Sequence, residues 1–260
     1  MLGAIVGDIV GSSYEFNPTK DYNFEMFAEG SDFTDDTICT IAVADALLKG
    51  RDFGESIHEW CQKYPTPKGG YGGRFREWVM SDNPKPYHSF GNGSAMRVSP
   101  VGWWFFKPEE VLKEAAKTAE CTHNHPEGVK GACTVALAIL LANKMKKSDG
   151  KVDVKALLDE CVKFSGYNID IKKAAVLNRF DETCQGTVPV ALWIIGKSKS
   201  FEDALGRAVS LGADADTLGA IVGGIAEAIW GIPEWMKNRA KAYLPDEMRN
   251  VLFDFGHAIG

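Results

Sequence analysis

The sequence predicts an all-α protein. Nearly every periodic apolar segment repeats at helical spacing, strand-like alternation is almost absent, and clusters of acids and hydroxyls stand where helices should begin. Over 36–49, Ile38, Ile41, Ala42, Asp45 and Leu48 fall at three- and four-residue steps. Over 216–230, Leu218, Ile221, Val222, Ile225 and Ile229 share one face more cleanly. Further helices are expected at 109–120, 127–146, 153–164, 188–196, 201–210 and 234–243.

The first apolar segment carries Gly3, Gly7 and Gly11 at four-residue spacing, which on a helix makes a smooth ridge that a second helix can approach closely. Gly219 and Gly223 repeat the pattern in the late helix. Residues 65–93 differ from the rest. Pro65, Pro67, Pro84, Pro86 and repeated glycines mark a long ordered loop region around a short helical piece near Arg74–Val79. Such loops often carry function. No linker composition or repeat array appears, so 1–260 is expected to form a single domain.

A chain of 260 residues with 45% hydrophobic and 25% charged side chains can bury a sizeable core. The net charge of -6 and the lack of a basic run give no footprint for nucleic acid. Lys144, Lys146 and Lys147 sit at the end of a predicted helix, where cations suit the dipole. The N-terminal apolar run has no preceding Lys or Arg and is interrupted by Asp8, unlike a signal peptide. No stretch reads as long enough and uncharged enough to span a bilayer. The six cysteines form no CxxC pair, which points away from a zinc site or disulfide scaffold and toward a reducing cytoplasm.

The chemistry centres on two matched clusters, Thr34-Asp35-Asp36-Thr37 and Asp214-Ala215-Asp216-Thr217, each opening an apolar helix. A helix start needs a capping oxygen, and one cluster alone could be a cap. Two acids with a threonine, twice, exceed that need. If the fold joins them, four carboxylates cannot all remain ionised side by side without a cation between them. Oxygen donors suit Mg²⁺, Mn²⁺ or Ca²⁺ rather than zinc or copper, and four carboxylates could hold two ions roughly 3.5–4 Å apart.

Three other pieces are of interest. On a continuing helix, Asp8, Ser12 and Glu15 would share a face, with Asp8 buried in a mainly structural role and Glu15 at the helix exit near a cleft. The run Phe90-Gly91-Asn92-Gly93-Ser94-Ala95-Met96-Arg97 reads as a cradle for an anion or polar ligand, with free N–H groups at the following helix start. Arg97 suits a buried ion pair as well as it suits a ligand. In Thr122-His123-Asn124-His125-Pro126, His-x-His lacks a third soft metal ligand, so hydrogen bonding is the ordinary role and phosphate contact the functional one.

Together these pieces resemble the ADP-ribosylglycohydrolase family, which includes dinitrogenase reductase-activating glycohydrolase. The matching stretches are Gly3–Glu15, Phe33–Thr37, Gly91–Arg97, Thr122-His123 and Ala208–Thr217 with its helix to Gly231, in family order. The resemblance implies a compact orthogonal multi-helix domain with a binuclear centre of two Mg²⁺, or Mn²⁺. It implies metal ligation by Thr34, Asp35, Asp36, Asp214, Asp216 and Thr217. The substrate cleft would use Gly91, Asn92, Gly93 and Ser94, with His123 near the diphosphate. Catalysis would rest on Asp35, Asp36 and Asp216, with Glu15 as gate or water activator, and Thr37 would be a packing or capping residue.

The implied reaction is hydrolysis at the distal ribose C1″ of an ADP-ribosylated protein or small-molecule ADP-ribose conjugate, releasing ADP-ribose. Such cleavage passes through an oxocarbenium-like state, which positioning and electrostatics can stabilise. Ser89 stands where some arginine-directed relatives carry an acid, and Glu15 matches a carboxylate of members acting on O-linked ADP-ribose. Arginine is placed narrowly ahead of serine or O-acetyl acceptors. The rival readings are a non-catalytic, crystallin-like ADP-ribose-binding protein and a two-metal phosphoesterase that would release AMP.

Overall fold

The computed structural model describes all 260 residues and contains helices but no strands. In chain order they are α1 (Leu2–Gly11), α2 (Asp35–Lys49), α3 (Phe53–Lys63), α4 (Gly73–Val79), α5 (Gly93–Met96), α6 (Ser99–Trp104), α7 (Pro108–Glu120) and α8 (Pro126–Asp149). There follow α9 (Val154–Ser165), α10 (Lys173–Val176), α11 (Cys184–Lys197), α12 (Phe201–Val209), α13 (Ala215–Trp230), α14 (Glu234–Lys241) and α15 (Asp246–Ile259). Every expected helix is present. The sequence reading does not include α3, α6, α10 and α15: α6 and α10 are very short, α3 has few apolar positions, and the apolar residues of α15 do not keep to one face.

At the centre, α1 lies backbone to backbone against α13. A methyl group at Gly7 would stand 1.9 Å from the Gly219 carbonyl oxygen, and one at Gly3 would stand 2.3 Å from that of Gly223. The two glycine ridges therefore face each other, and glycine is required because no Cβ fits. Glu227 of α13 accepts from the Gly3 N–H at 2.8 Å, satisfying a donor that the uncapped start of α1 leaves free. Apart from Glu227 and Trp230, every residue of α13 is buried, as expected of a helix wrapped on all sides. Buried apolar residues from every other helix except α10 join it in one contiguous core.

Three elements differ from expectation. α1 stops at Gly11, with Ser12 as its C-cap, so Glu15 lies in the turn beyond and not on the helix. α11 begins at Cys184 and runs through Pro189, whose ring would be expected to block the preceding turn. Thr183 caps that start by accepting from Gly186 N–H at 3.0 Å, and the carbonyl that Pro189 leaves unpaired belongs to exposed Gln185. The third is α8. At 24 residues it is long and apolar enough to cross a bilayer, contrary to the sequence reading. Two-thirds (67%) of its most apolar 18 residues is buried against the other helices, so here it serves as a core helix.

The close contact predicts a sharp contrast in alanine substitutions. Gly7→Ala should destabilise the protein by about 2–3 kcal/mol through overpacking. Gly256→Ala, within α15 and with open space around it, should be neutral or stabilising by about 0.5–1 kcal/mol. Denaturant unfolding of the two variants checks this.

Candidate functional site

The first cluster is built around Asp8. Thr34 is the N-cap of α2, and its Oγ1 accepts from Asp36 N–H at 3.2 Å. Thr34 also donates to Asp8 through its N–H (3.0 Å) and its hydroxyl (2.7 Å). Thr37 donates to the same carboxylate from its N–H at 3.1 Å and from its hydroxyl. Asp8, rising from α1, thus anchors the first turn of α2. Because Thr34 alone fills the cap, Asp35 and Asp36 are left for other work.

The second cluster behaves in the same way. Asp214 occupies the N-cap position of α13 but makes no cap bond; its Oδ2 instead accepts from Asn92 Nδ2 at 2.7 Å. Thr217 links the clusters by donating to Asp36 Oδ2 at 3.2 Å. Two triads of carboxylate oxygens result, Asp8–Asp36–Asp216 and Glu15–Asp214–Asp216, each with its oxygens within 4.8 Å of one another. Asp216 belongs to both. Asp35 is half-buried on the cleft wall and lies outside either triad.

Burial is the main electrostatic force here. It pushes Asp8 up to about 7, helped by the charge of Asp216 and opposed by the threonine hydrogen bonds. Glu15 rises to about 8 for the same two leading reasons. Burial also drives Asp35, Asp36 and Asp214 well above the usual carboxylate range, and raises Asp216. Without a cation the cluster must hold protons. The donor set fits a hard divalent ion: it is all oxygen, and Glu15 Oε2 and Asp36 Oδ1 are buried with no hydrogen-bond partner. Asp8, Asp36 and Asp216 would hold one such ion, and Glu15, Asp214 and Asp216 a second.

Above the acids lies a cleft of about 420 Å³, lined by Glu15, Asp35, Asp214, Asp216, Thr217, Gly91, Asn92, Gly93 and His123. Other cavities are comparable in volume, including a 610 Å³ groove beside Trp60 and a 320 Å³ cavity that reaches Asp214, but neither is lined by more than one acid of the two triads. The Gly91–Gly93 turn is pinned to the start of α11 by Asn92 N–H to the Glu182 carbonyl (2.7 Å) and Cys184 N–H to that of Phe90 (2.9 Å). The Asn92 N–H is thereby taken from the expected anion cradle. Gly91 N–H is likewise engaged, donating to Ser89 Oγ at 3.1 Å, so these two donors face protein, whereas the N–H groups of Gly93 and Ser94 at the start of α5 have no protein acceptor. The glycines instead make room for His123, whose Nε2 would stand 3.0 Å from a methyl group on Gly93.

The structure brings Thr34, Asp36, Asp214, Asp216, Thr217 and Glu15 together, and adds Asp8. Thr34 Oγ1 is occupied by Asp8, which argues for a structural hydroxyl. Ser94 departs from its expected place: its hydroxyl is fully buried and donates to the Gly128 carbonyl at 2.7 Å, away from the cleft. Arg97 is fully buried and forms no ion pair. His125 caps α8 through Nδ1, accepting from Glu127 N–H at 3.1 Å. Sequence reasoning gave Asp8 a supporting role, yet an acid inside an apolar run was already a signal of a polar partner. Glu182, exposed at the cleft wall, carried no such signal.

Fold and site define an all-helical enzyme scaffold whose cleft floor is a carboxylate centre. The family model described as ADP-ribosylglycohydrolase matches residues 1–256, and the chain belongs to that family. It is similar to human ADP-ribosylhydrolase ARH3, with 27% identity over 94% of this chain and 88% of the relative. It is also similar to the ADP-ribosylarginine hydrolase Tri1 of Pseudomonas putida, at 24% over 98% and 76%. A solved structure described as an ADP-ribosylglycohydrolase-related protein complex shares the fold, with a TM-score of 0.73 and 24% identity, covering 100% of this chain and 97% of that one. The protein is therefore a hydrolase of glycosidic bonds.

Raised carboxylate pKa values have a definite sign in stability. Above about pH 4 the unfolded acids give up protons that the metal-free folded cluster retains. Stability of the metal-free protein should therefore fall as pH rises from there through the folded values of about 7 and about 8 for Asp8 and Glu15. Thermal melts in EDTA should show this loss. Added Mg²⁺ or Mn²⁺ should raise the melting temperature more at pH 8 than at pH 5.

Proposed function

We propose that the protein is a divalent-metal-dependent ADP-ribosyl hydrolase that cleaves the bond between ribose C1″ and its acceptor and releases ADP-ribose. The observation that carries this is the pair of acid triads sharing Asp216 beneath the Gly91–Gly93 turn. The centre is assigned two Mg²⁺, with Mn²⁺ able to replace them. When bound, such ions supply fixed positive charge that orients ribose hydroxyls and acidifies water.

The chain's own groups then have distinct tasks. Asp36, Asp214 and Asp216 form the anionic floor, and Asp8 holds the start of α2 in register with it. Asn92 fixes the Asp214 carboxylate by its 2.7 Å hydrogen bond. Glu15 lines the cleft, and its carboxylate oxygen other than the buried Oε2 is suited to orient a water and take its proton. Asp35 on the cleft wall favours positive charge developing on the ribose.

Arginine is the first acceptor. A relative is named an ADP-ribosylarginine hydrolase, and exposed Glu182 offers a guanidinium the carboxylate that Ser89 does not. An O-linked acceptor is the second reading, supported by the place of Glu15 within the acid centre. A panel of ADP-ribosylated arginine, serine and O-acetyl substrates tests both. ADP-ribose should appear with Mg²⁺ or Mn²⁺, fastest from arginine, and cease with EDTA. Asp216→Asn should slow release at least about a hundredfold, the upper scale for loss of even an outer partner of a metal site. Full activity after thorough chelation, or AMP as product, would overturn the proposal.

A further inference from the structure

Behind the cleft lies a buried cation without a carboxylate. Arg97 Nη2 donates to the Thr118 carbonyl and to Thr122 Oγ1, each at 2.7 Å. A guanidinium cannot accept a hydrogen bond, so Thr122 Oγ1 is the acceptor in that contact. Its own proton still needs a partner, since Thr122 is fully buried. His123 Nδ1 stands 2.6 Å from Thr122 Oγ1, whereas the other hydrogen-bonding contact of that hydroxyl besides Arg97, Cys121 Sγ, is 4.0 Å away. In the opposite arrangement, with Nδ1 donating, the threonine proton would be stranded in the interior at a cost of about 1–3 kcal/mol.

The imidazole is neutral, because burial and then the Arg97 charge hold its pKa well below the usual range. A neutral ring that accepts at Nδ1 carries its proton on Nε2. That atom has no hydrogen bond within the protein and lies against Gly91 and Gly93 on the cleft wall. We infer that Arg97 and Thr122 are positioning residues that lock His123 as its Nε2–H tautomer, presenting one fixed donor to an acceptor oxygen of the cleft's ligand. The ligand part rests on the ADP-ribose reading above; the relay itself does not.

The test uses the intact protein labelled with ¹⁵N-histidine, with His123 identified by its missing signals in His123→Asn. Long-range ¹H–¹⁵N correlation should show a bare Nδ1 and a protonated Nε2 in the wild type. Thr122→Val should mix the tautomers and weaken ADP-ribose binding about three- to tenfold, the range for one lost hydrogen bond. Thr122→Ser, which keeps the hydroxyl, should restore both. An Nδ1–H tautomer in the wild type would overturn the relay, whether or not the valine variant folds. An unchanged tautomer in folded Thr122→Val would do the same. If the Nε2–H form is present but the wild type fails to bind ADP-ribose, the proposed function fails and the relay stands.

Discussion

The structure depends on the contact between α1 and α13. Because Gly3, Gly7, Gly219 and Gly223 carry no side chains, the two backbones touch. The same ridge continues to Gly11, where a methyl group would stand 2.6 Å from the Asp216 Cα. Asp8 and Asp216 are thereby brought within reach of each other, from residues more than two hundred apart in the chain. A wider spacing would separate the carboxylates and remove the anionic floor. The glycines and the acids are therefore one device: close packing supplies the distance at which oxygen atoms can share an ion.

The arrangement is costly on its own. Each buried carboxylate loses hydration, and its neighbours repel it. Hydrogen bonds offset part of this. Asp8 receives four from Thr34 and Thr37, Asp36 receives one from Thr217, and Asp214 one from Asn92. Glu15 Oε2 and Asp36 Oδ1 receive none. Those two oxygens mark where protein donors stop and an external positive charge is called for. The polar groups nearest the centre are accordingly of two kinds: threonines and an asparagine that fix geometry, and carboxylates left open toward the cleft.

Much of this was legible in the chain. Both acidic clusters are contiguous, and the four-residue glycine spacing survives as a face on a helix, so local pattern carried them. The place of Glu15 at a cleft was legible from the helix exit, but the exact helix end was not, because a boundary depends on whether Ser12 caps or continues, and here Ser12 is the C-cap of α1. The Gly91–Gly93 turn was legible only in part. Glycines signal close approach, but not whether a ligand or His123 makes it. Ser94 and Arg97 were hidden too, since their direction is set by Gly128 and Thr122 from a distant part of the chain. Helices α3 and α15 bury only narrow stripes, Phe53, Ile57 and Cys61 in one and Met248, Val251 and Phe255 in the other; polar residues outnumber the stripe in α3, and in α15 exposed apolar residues such as Phe253 blur it.

The central claim is that the shared carboxylate makes one centre out of two triads. Calorimetric titration of the metal-free protein with Mn²⁺ at pH 8 addresses it most directly. The account predicts two ions bound per chain, and loss of tight binding at both sites in Asp216→Asn, because that residue belongs to both triads. Unaltered two-ion binding in the variant, or no binding by the wild type, would contradict it.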